Sequence, residues 1–138
     1  MTKATLKVNG TWIYNLTGKT IRLWDSVDKE FAAIPADGMA QTHRRRTIEH
    51  AVSSICDTDA RIGIIAETGS TLYDVDPVSD WIPEKIRDGG RWAAIVSDDY
   101  VVACRELGLP TDRLYTVGEP WIREGGLTIQ GYMNLVKH

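Results

Sequence analysis

The stretch Thr42-His43-Arg44-Arg45-Arg46 is the one dense basic cluster in the sequence. On a strand, alternate residues share a face, so Arg44 and Arg46 point one way and His43 and Arg45 the other. Two guanidinium groups on one face suit a phosphate, which they grip through paired hydrogen bonds. The plainer reading is a solvated edge strand whose charges block aggregation. Arg123 stands just before the Gly125-Gly126 turn. An arginine at such a place reaches over a rim toward an anion; the alternative is a surface pair with Glu119 or Glu124, worth little. Tyr100 falls in the first turn of an expected helix, where free N–H groups receive a phosphate and a ring stacks on a base. Ser97 caps the same end and is a further candidate contact. Asp98 and Asp99 oppose an anion there, and Tyr100 also fits the core-facing stripe of that helix.

Turnover is weakly written in this chain. Ser53 and Ser54 lack a glycine elbow, and there is no Gly-x-Ser-x-Gly, no phosphate-binding Walker loop and no dinucleotide fingerprint. Neither Cys-x-x-Cys nor His-x-x-x-His occurs, so no structural zinc is expected, and no cofactor is implied. Asp57/Asp59 and Asp74/Asp76 have the i, i+2 spacing that could hold a hard cation, but both read more simply as turns. The expectation is a binding protein rather than an enzyme.

Composition narrows the setting. The 138 residues carry 16 Lys and Arg against 19 Asp and Glu, a formal charge of −3. That balance disfavours wrapping duplex nucleic acid, which needs a basic surface. No run approaches the roughly 18 apolar residues of a bilayer helix, so no membrane partner is expected. Cys56 and Cys104 are too few for a disulfide framework, and the segment Met1 to Lys7 lacks the apolar core of a signal peptide. The expected setting is the cytoplasm, with free thiols. Five tryptophans in so small a chain suit a core, an aromatic-lined pocket or an oligomer interface.

The elements that must position these residues are mainly strands. Thr11 to Leu16 and Thr20 to Trp24 alternate around Gly18-Lys19 and suggest a hairpin. Met39 to Glu49 reads as a solvent-facing strand, and Ala51 to Cys56 and Arg61 to Thr68 as strands around the turn 57–60. Residues 74–90 are rich in Asp, Pro and Gly and read as a long loop, pinned in its middle by Trp81-Ile82. Arg91 to Val96 is a nearly continuous apolar run, the best candidate for a central strand. It meets Ser97, an N-cap, and then an apolar face at Tyr100, Ala103, Cys104 and Leu107, closed by Gly108 and Pro110. Leu114 to Arg123 and Leu127 to Leu135 form a second hairpin. The whole reads as a single α+β domain over 1–138, mainly antiparallel β, with one main helix near 97–107.

Several stretches together resemble a known family. Asn15-Leu16-Thr17-Gly18-Lys19-Thr20-Ile21 resembles the opening Asn-Leu-Thr-Pro-His-x-Ile of small phage and actinobacterial proteins. Ile34-Pro35-Ala36-Asp37-Gly38 resembles their Ile-Pro-x-x-Gly turn. Ile95-Val96-Ser97 with Val101-Val102-Ala103 resembles their Ile-Val-Ser-x-x-Val-Ala segment. Residues 115–131 resemble their Val-Pro-Gly-x-x-Val-Arg-Asp-x-x-Gly-x-Ile-x-Gly close. The order is the same, across about 12 to 135. Gly18 and Lys19 stand where the family has Pro-His, and Glu124 replaces its aspartate.

Size and motif order within this group are similar to the phage anti-defence proteins of Thoeris systems, which sequester cyclic ADP-ribose signals. The resemblance implies a homo-oligomeric sponge in the host cytoplasm that binds a small cyclic nucleotide without cleaving it. Some such proteins also take cyclic di- or trinucleotides at a separate site. It implies Arg123 as the phosphate-gripping arginine and Tyr100 as a stacking ring. The alternatives are a phage accessory protein with another ligand or a protein partner, and a small-nucleotide hydrolase or lyase.

Overall fold

The computed structural model describes residues 6–25, 29–54, 61–122 and 125–138. Among these lie eleven strands: β1 (Leu6–Val8), β2 (Thr11–Asn15), β3 (Ile21–Trp24), β4 (Glu30–Ile34), β5 (Thr42–Ser54), β6 (Arg61–Val75), β7 (Trp92–Ile95), β8 (Leu114–Val117), β9 (Pro120–Ile122), β10 (Ile129–Tyr132) and β11 (Leu135–Lys137). Two helices, α1 (Glu84–Gly89) and α2 (Asp98–Glu106), and a 3-10 turn at Val78–Trp81 complete them. The chain divides into two compact units, residues 1–42 with 75–138, and residues 43–74. The class is α+β with β dominant and α2 the main helix.

The first unit contains two sheets. One has the order β1-β2-β7-β8-β11, the other β4-β3-β10-β9. Both are mixed: β2, β7 and β8 run parallel, as do β3 and β10, and the remaining neighbours are antiparallel. The apolar run at 92–95 forms the central strand β7, all four residues of which are buried. A strand buried on both faces loses the polar alternation of a half-exposed one. Ile13 and Ile95 of the first sheet meet Ile21, Leu23 and Ile34 of the second in one apolar cluster. Between β7 and β8 the chain crosses through α2, capped by Ser97, whose Oγ accepts the Tyr100 N–H at 3.2 Å. Gly108 closes that helix at φ +70°, a left-handed position that glycine takes without strain.

The hairpin expected over 11–24 does not form. β2 and β3 belong to different sheets, because the chain turns a corner between Asn15 and Ile21 instead of folding back on itself. The C-terminal hairpin does form, but it is bent across both sheets. β8 pairs with β11 in the first and β9 with β10 in the second. The bend lies at Gly118 and Asn134: the Gly118 N–H donates to the Asn134 carbonyl, and the Glu119 N–H to Asn134 Oδ1.

Residues 74–90 are not a plain loop. They hold the 3-10 turn and α1, with Ile82 buried and Trp81 packed on Gly38. Two mutual bonds clasp the ends of the chain's excursion to 43–74: Asp76 N–H to the Gln41 carbonyl, and Gln41 N–H to Asp76 Oδ2. The excursion itself is a two-stranded sheet of β5 and β6. The strands expected at 39–49, 51–56 and 61–68 correspond to these two longer ones as far as Ser54 and from Arg61; positions 55–56 and the turn expected at 57–60 lie outside the described residues. Arg44, Arg45 and Arg46 are exposed on β5, in keeping with a solvent-facing strand.

Packing across the second sheet leaves no room at Gly131. A Cβ there would stand 2.5 Å from the Arg22 carbonyl oxygen and 2.6 Å from the Trp24 ring. Gly131→Ala is expected to cost about 1–3 kcal/mol, as overpacking does. Gly63, where a Cβ meets nothing within 4 Å, is the matched control. Gly63→Ala should be neutral or stabilising by about 0.5–1 kcal/mol. Urea denaturation of both variants measures the contrast.

Candidate functional site

The corner that leads from β2 to β3 is built by one side chain. Asn15 is fully buried. Its Nδ2 donates to the carbonyls of Lys19 at 2.7 Å and Ile34 at 2.9 Å. Its Oδ1 accepts from the Thr17 N–H at 3.1 Å and the Thr17 hydroxyl at 2.6 Å. All four hydrogen-bonding places of the amide are thereby filled. Gly18, at φ +78°, makes the turn within this segment. The result is a fixed presentation of Thr17, Lys19 and Thr20 beyond the carboxyl end of β2.

A cleft of about 510 Å³ lies at this corner. Lys19 and Arg22 bring two cations to it, and Ser97 and Asp98 the amino end of α2. Gln130 and Tyr132 line it from β10, and Val96 and Val117 supply apolar wall. The volume falls in the range of small-molecule sites. Crevices beyond the carboxyl ends of parallel strands are common ligand positions in sheets of this kind. Arg22 pairs with Glu30 at 2.7 Å, but its side chain is 53% exposed, so water screens that pair and an anion can compete for the guanidinium.

The helix end contributes less than the sequence suggests. Ser97 Oγ already accepts from Tyr100, and Asp98 faces the cleft. The Ser97 hydroxyl still carries its own proton and can donate to a ligand oxygen.

The expected site residues separate. Ser97 lines the cleft. Tyr100 does not: its ring is 2% exposed and its hydroxyl donates to the Asp76 carbonyl. The ring is core and cannot stack on a base: Tyr100, Val101, Ala103 and Cys104 form the packing face of α2, while Leu107 of the expected stripe is exposed. Burial holds the Tyr100 hydroxyl far above its ordinary range and also raises the Cys104 thiol, leaving both as packing groups. Arg44 and Arg46 lie in the other unit, on β5. Arg123 lies outside the described residues. Lys19, Arg22 and Tyr132 are the cleft residues that sequence reasoning passed over. The signal for Lys19 was available, since it stands beside the turn glycine Gly18.

A second cleft of about 630 Å³ opens on the inter-sheet core, among Val8, Ile13, Leu23, Phe31 and Leu135. It brings no charged side chain to an anion. The chain was compared with family models, characterised proteins and solved structures, and none matches.

Two expectations follow from the corner. Asn15→Ala leaves the buried Ile34 carbonyl and the Thr17 N–H without their side-chain partner, and should cost about 2–4 kcal/mol in denaturant unfolding. The second concerns Asp37, which accepts the Asn15 N–H at 2.9 Å. Burial raises its carboxyl above the ordinary 3.8, and the Asn15 bond only partly offsets this. The folded state therefore holds the Asp37 proton more tightly than the unfolded state does. Ionised Asp37 costs stability, and the cost is relieved as pH falls through the raised value toward 3.8. Asp37→Asn should be more stable than the parent at neutral pH, with the difference shrinking on acidification. Parallel pH series of urea midpoints read the sign.

Proposed function

We propose that this protein binds and sequesters a small phosphorylated ligand, a cyclic nucleotide of the cyclic ADP-ribose type, without turning it over. One observation carries the reading: a single cleft collects Lys19, Arg22, the Ser97 hydroxyl and the Tyr132 ring. The two cations and the hydroxyl suit phosphoryl oxygens, and an aromatic edge beside them suits a base or ribose. The motif resemblance, in which Asn15-Leu16-Thr17 opens the shared order, supports the same ligand class. Asn15 is the residue that forms the cleft's corner. The reading extends to an anti-defence role in the host cytoplasm, where a sponge needs affinity and no aligned base and nucleophile.

The test is calorimetric titration with cyclic ADP-ribose isomers, followed by denaturation and mass spectrometry of what was bound. The expected result is uptake of one isomer and its recovery intact. Lys19→Ala and Arg22→Ala should each weaken binding roughly tenfold to a hundredfold, the value of a charge-assisted bond. Tyr100→Phe should leave affinity unchanged and lower stability by about 1 kcal/mol or more, since it removes the hydroxyl's bonds to the Asp76 carbonyl, the Val78 backbone and the Cys104 thiol. A cleaved product would make the protein a nucleotide hydrolase or lyase. Absence of any uptake would turn the reading toward a protein partner.

A further inference from the structure

At the opposite ends of β2 and β7, before Trp12 and Trp92, lies a smaller cleft of about 260 Å³. Three cations from three separate segments converge on it: Lys7 from β1, Lys85 from α1, and Arg91 from the residue before β7. No carboxylate lines it. Like charges held together in one recess repel, and a chain of net negative charge has acids to spare for pairing them. Yet among the described residues none of the three makes an ion pair, although α1 itself carries Glu84 and Asp88.

The arrangement is built by the fold. Asn9 and Gly10 both have positive φ, +50° and +81°, and join β1 to β2 by a two-residue hairpin turn. Lys7 and Trp12 are direct partners across that hairpin, and the Lys7 ammonium sits 4.7 Å from the indole centre. Cation–π contact of this kind holds the ammonium in place. The Arg91 carbonyl accepts the Trp12 N–H at 2.9 Å, fixing the backbone from which its guanidinium leaves. That guanidinium passes over Gly10, where a Cβ would stand 3.0 Å from Nη1. The glycine thus serves both the turn and the passage of the arginine.

We propose that this recess binds a multiply charged phosphoryl anion between Lys7, Lys85 and Arg91. Its volume, below the roughly 300 Å³ at which organic-ligand sites begin, admits a phosphate or diphosphate but not a nucleoside. The shared chemistry is the phosphoryl group, whether free or at the end of a larger molecule that stays outside. The inference does not rest on the cleft at the other end of these strands.

Inorganic diphosphate is the probe, titrated calorimetrically at low ionic strength into the full chain carrying Lys19→Ala, with sodium sulfate as the comparison anion. The expected result is saturable uptake of one equivalent, preferred over sulfate. Binding should fall at least about tenfold with Lys85→Ala and vanish with Lys85→Glu. Lys85 is exposed, and circular dichroism of both variants should match the parent. Adenosine diphosphate forms the second arm. Uptake of it with the same dependence on Lys85 assigns the recess to a terminal phosphoryl group; uptake of diphosphate alone assigns it to the free anion. The proposal is overturned by absent uptake of both, by equal response to sulfate, or by uptake that survives Lys85→Glu.

Discussion

The buried amide of Asn15 is the constraint on which the first unit depends. It ends a strand of one sheet, bonds to the last residue of β4 in the other, and orders the segment between them. Its backbone takes part as well: the Asn15 carbonyl accepts from the Asp37 and Gly38 N–H groups, and its N–H donates to Asp37 Oδ2. A buried amide is costly unless every place is filled, and here every place is filled by groups that only this corner brings together. The corner is therefore specified rather than tolerated. Leu16, fully buried beside it, donates its N–H to the Ile95 carbonyl and so keeps the corner attached to the central strand.

This interaction also explains which parts of the fold were legible in the sequence. Local signals were read correctly where the structure is decided locally. Ser97, Gly108 and the buried positions 100, 103 and 104 between them define α2 through neighbours three and four residues away, although Leu107, the last of the expected stripe, is exposed. Continuous apolarity at 92–95 located the central strand through burial on both faces. The alternation over 11–24 gave the strands but not their partners. Whether two successive strands fold back or part company is decided by Asn15 reaching Ile34, nineteen positions onward, and no local pattern records that contact. The bend of the C-terminal hairpin was hidden for the same reason, since Gly118 and Asn134 are distant in sequence and no local pattern records their bond. The Asn9-Gly10 turn is a different case. It is a strong local hairpin signal, and its first strand is short enough, at three residues, to be passed over.

The candidate site was legible only in part. Aromatic and basic residues were weighed by type, and type does not separate a ring that packs from a ring that lines a cleft. Tyr100 and Tyr132 differ in their neighbours: one is enclosed by its own helix and the segment after β6, the other half-buried on β10 at the cleft wall. Density of charge was a poor guide as well. The Arg44-Arg45-Arg46 run lies on a two-stranded ribbon, while the cleft cations Lys19 and Arg22 form no dense run and reach the cleft from the corner and from the start of β3.

Charge distribution then follows from topology rather than from composition. A chain of net charge −3 places Lys19 and Arg22 beyond the carboxyl ends of β2 and β7, and Lys7, Lys85 and Arg91 before their amino ends. The sheet between is only four paired residues long, from Trp12 with Trp92 to Asn15 with Ile95. Positive potential in a recess is set by the nearest few charges and by low-dielectric walls, so a net-acidic protein can still collect anions at chosen places. The carboxyl-end cleft takes residues from both sheets, β3 and β10 of one and the ends of β7 and β8 of the other. A ligand bound there contacts both layers only when they are assembled. Its binding free energy is then necessarily also free energy of holding the two sheets together.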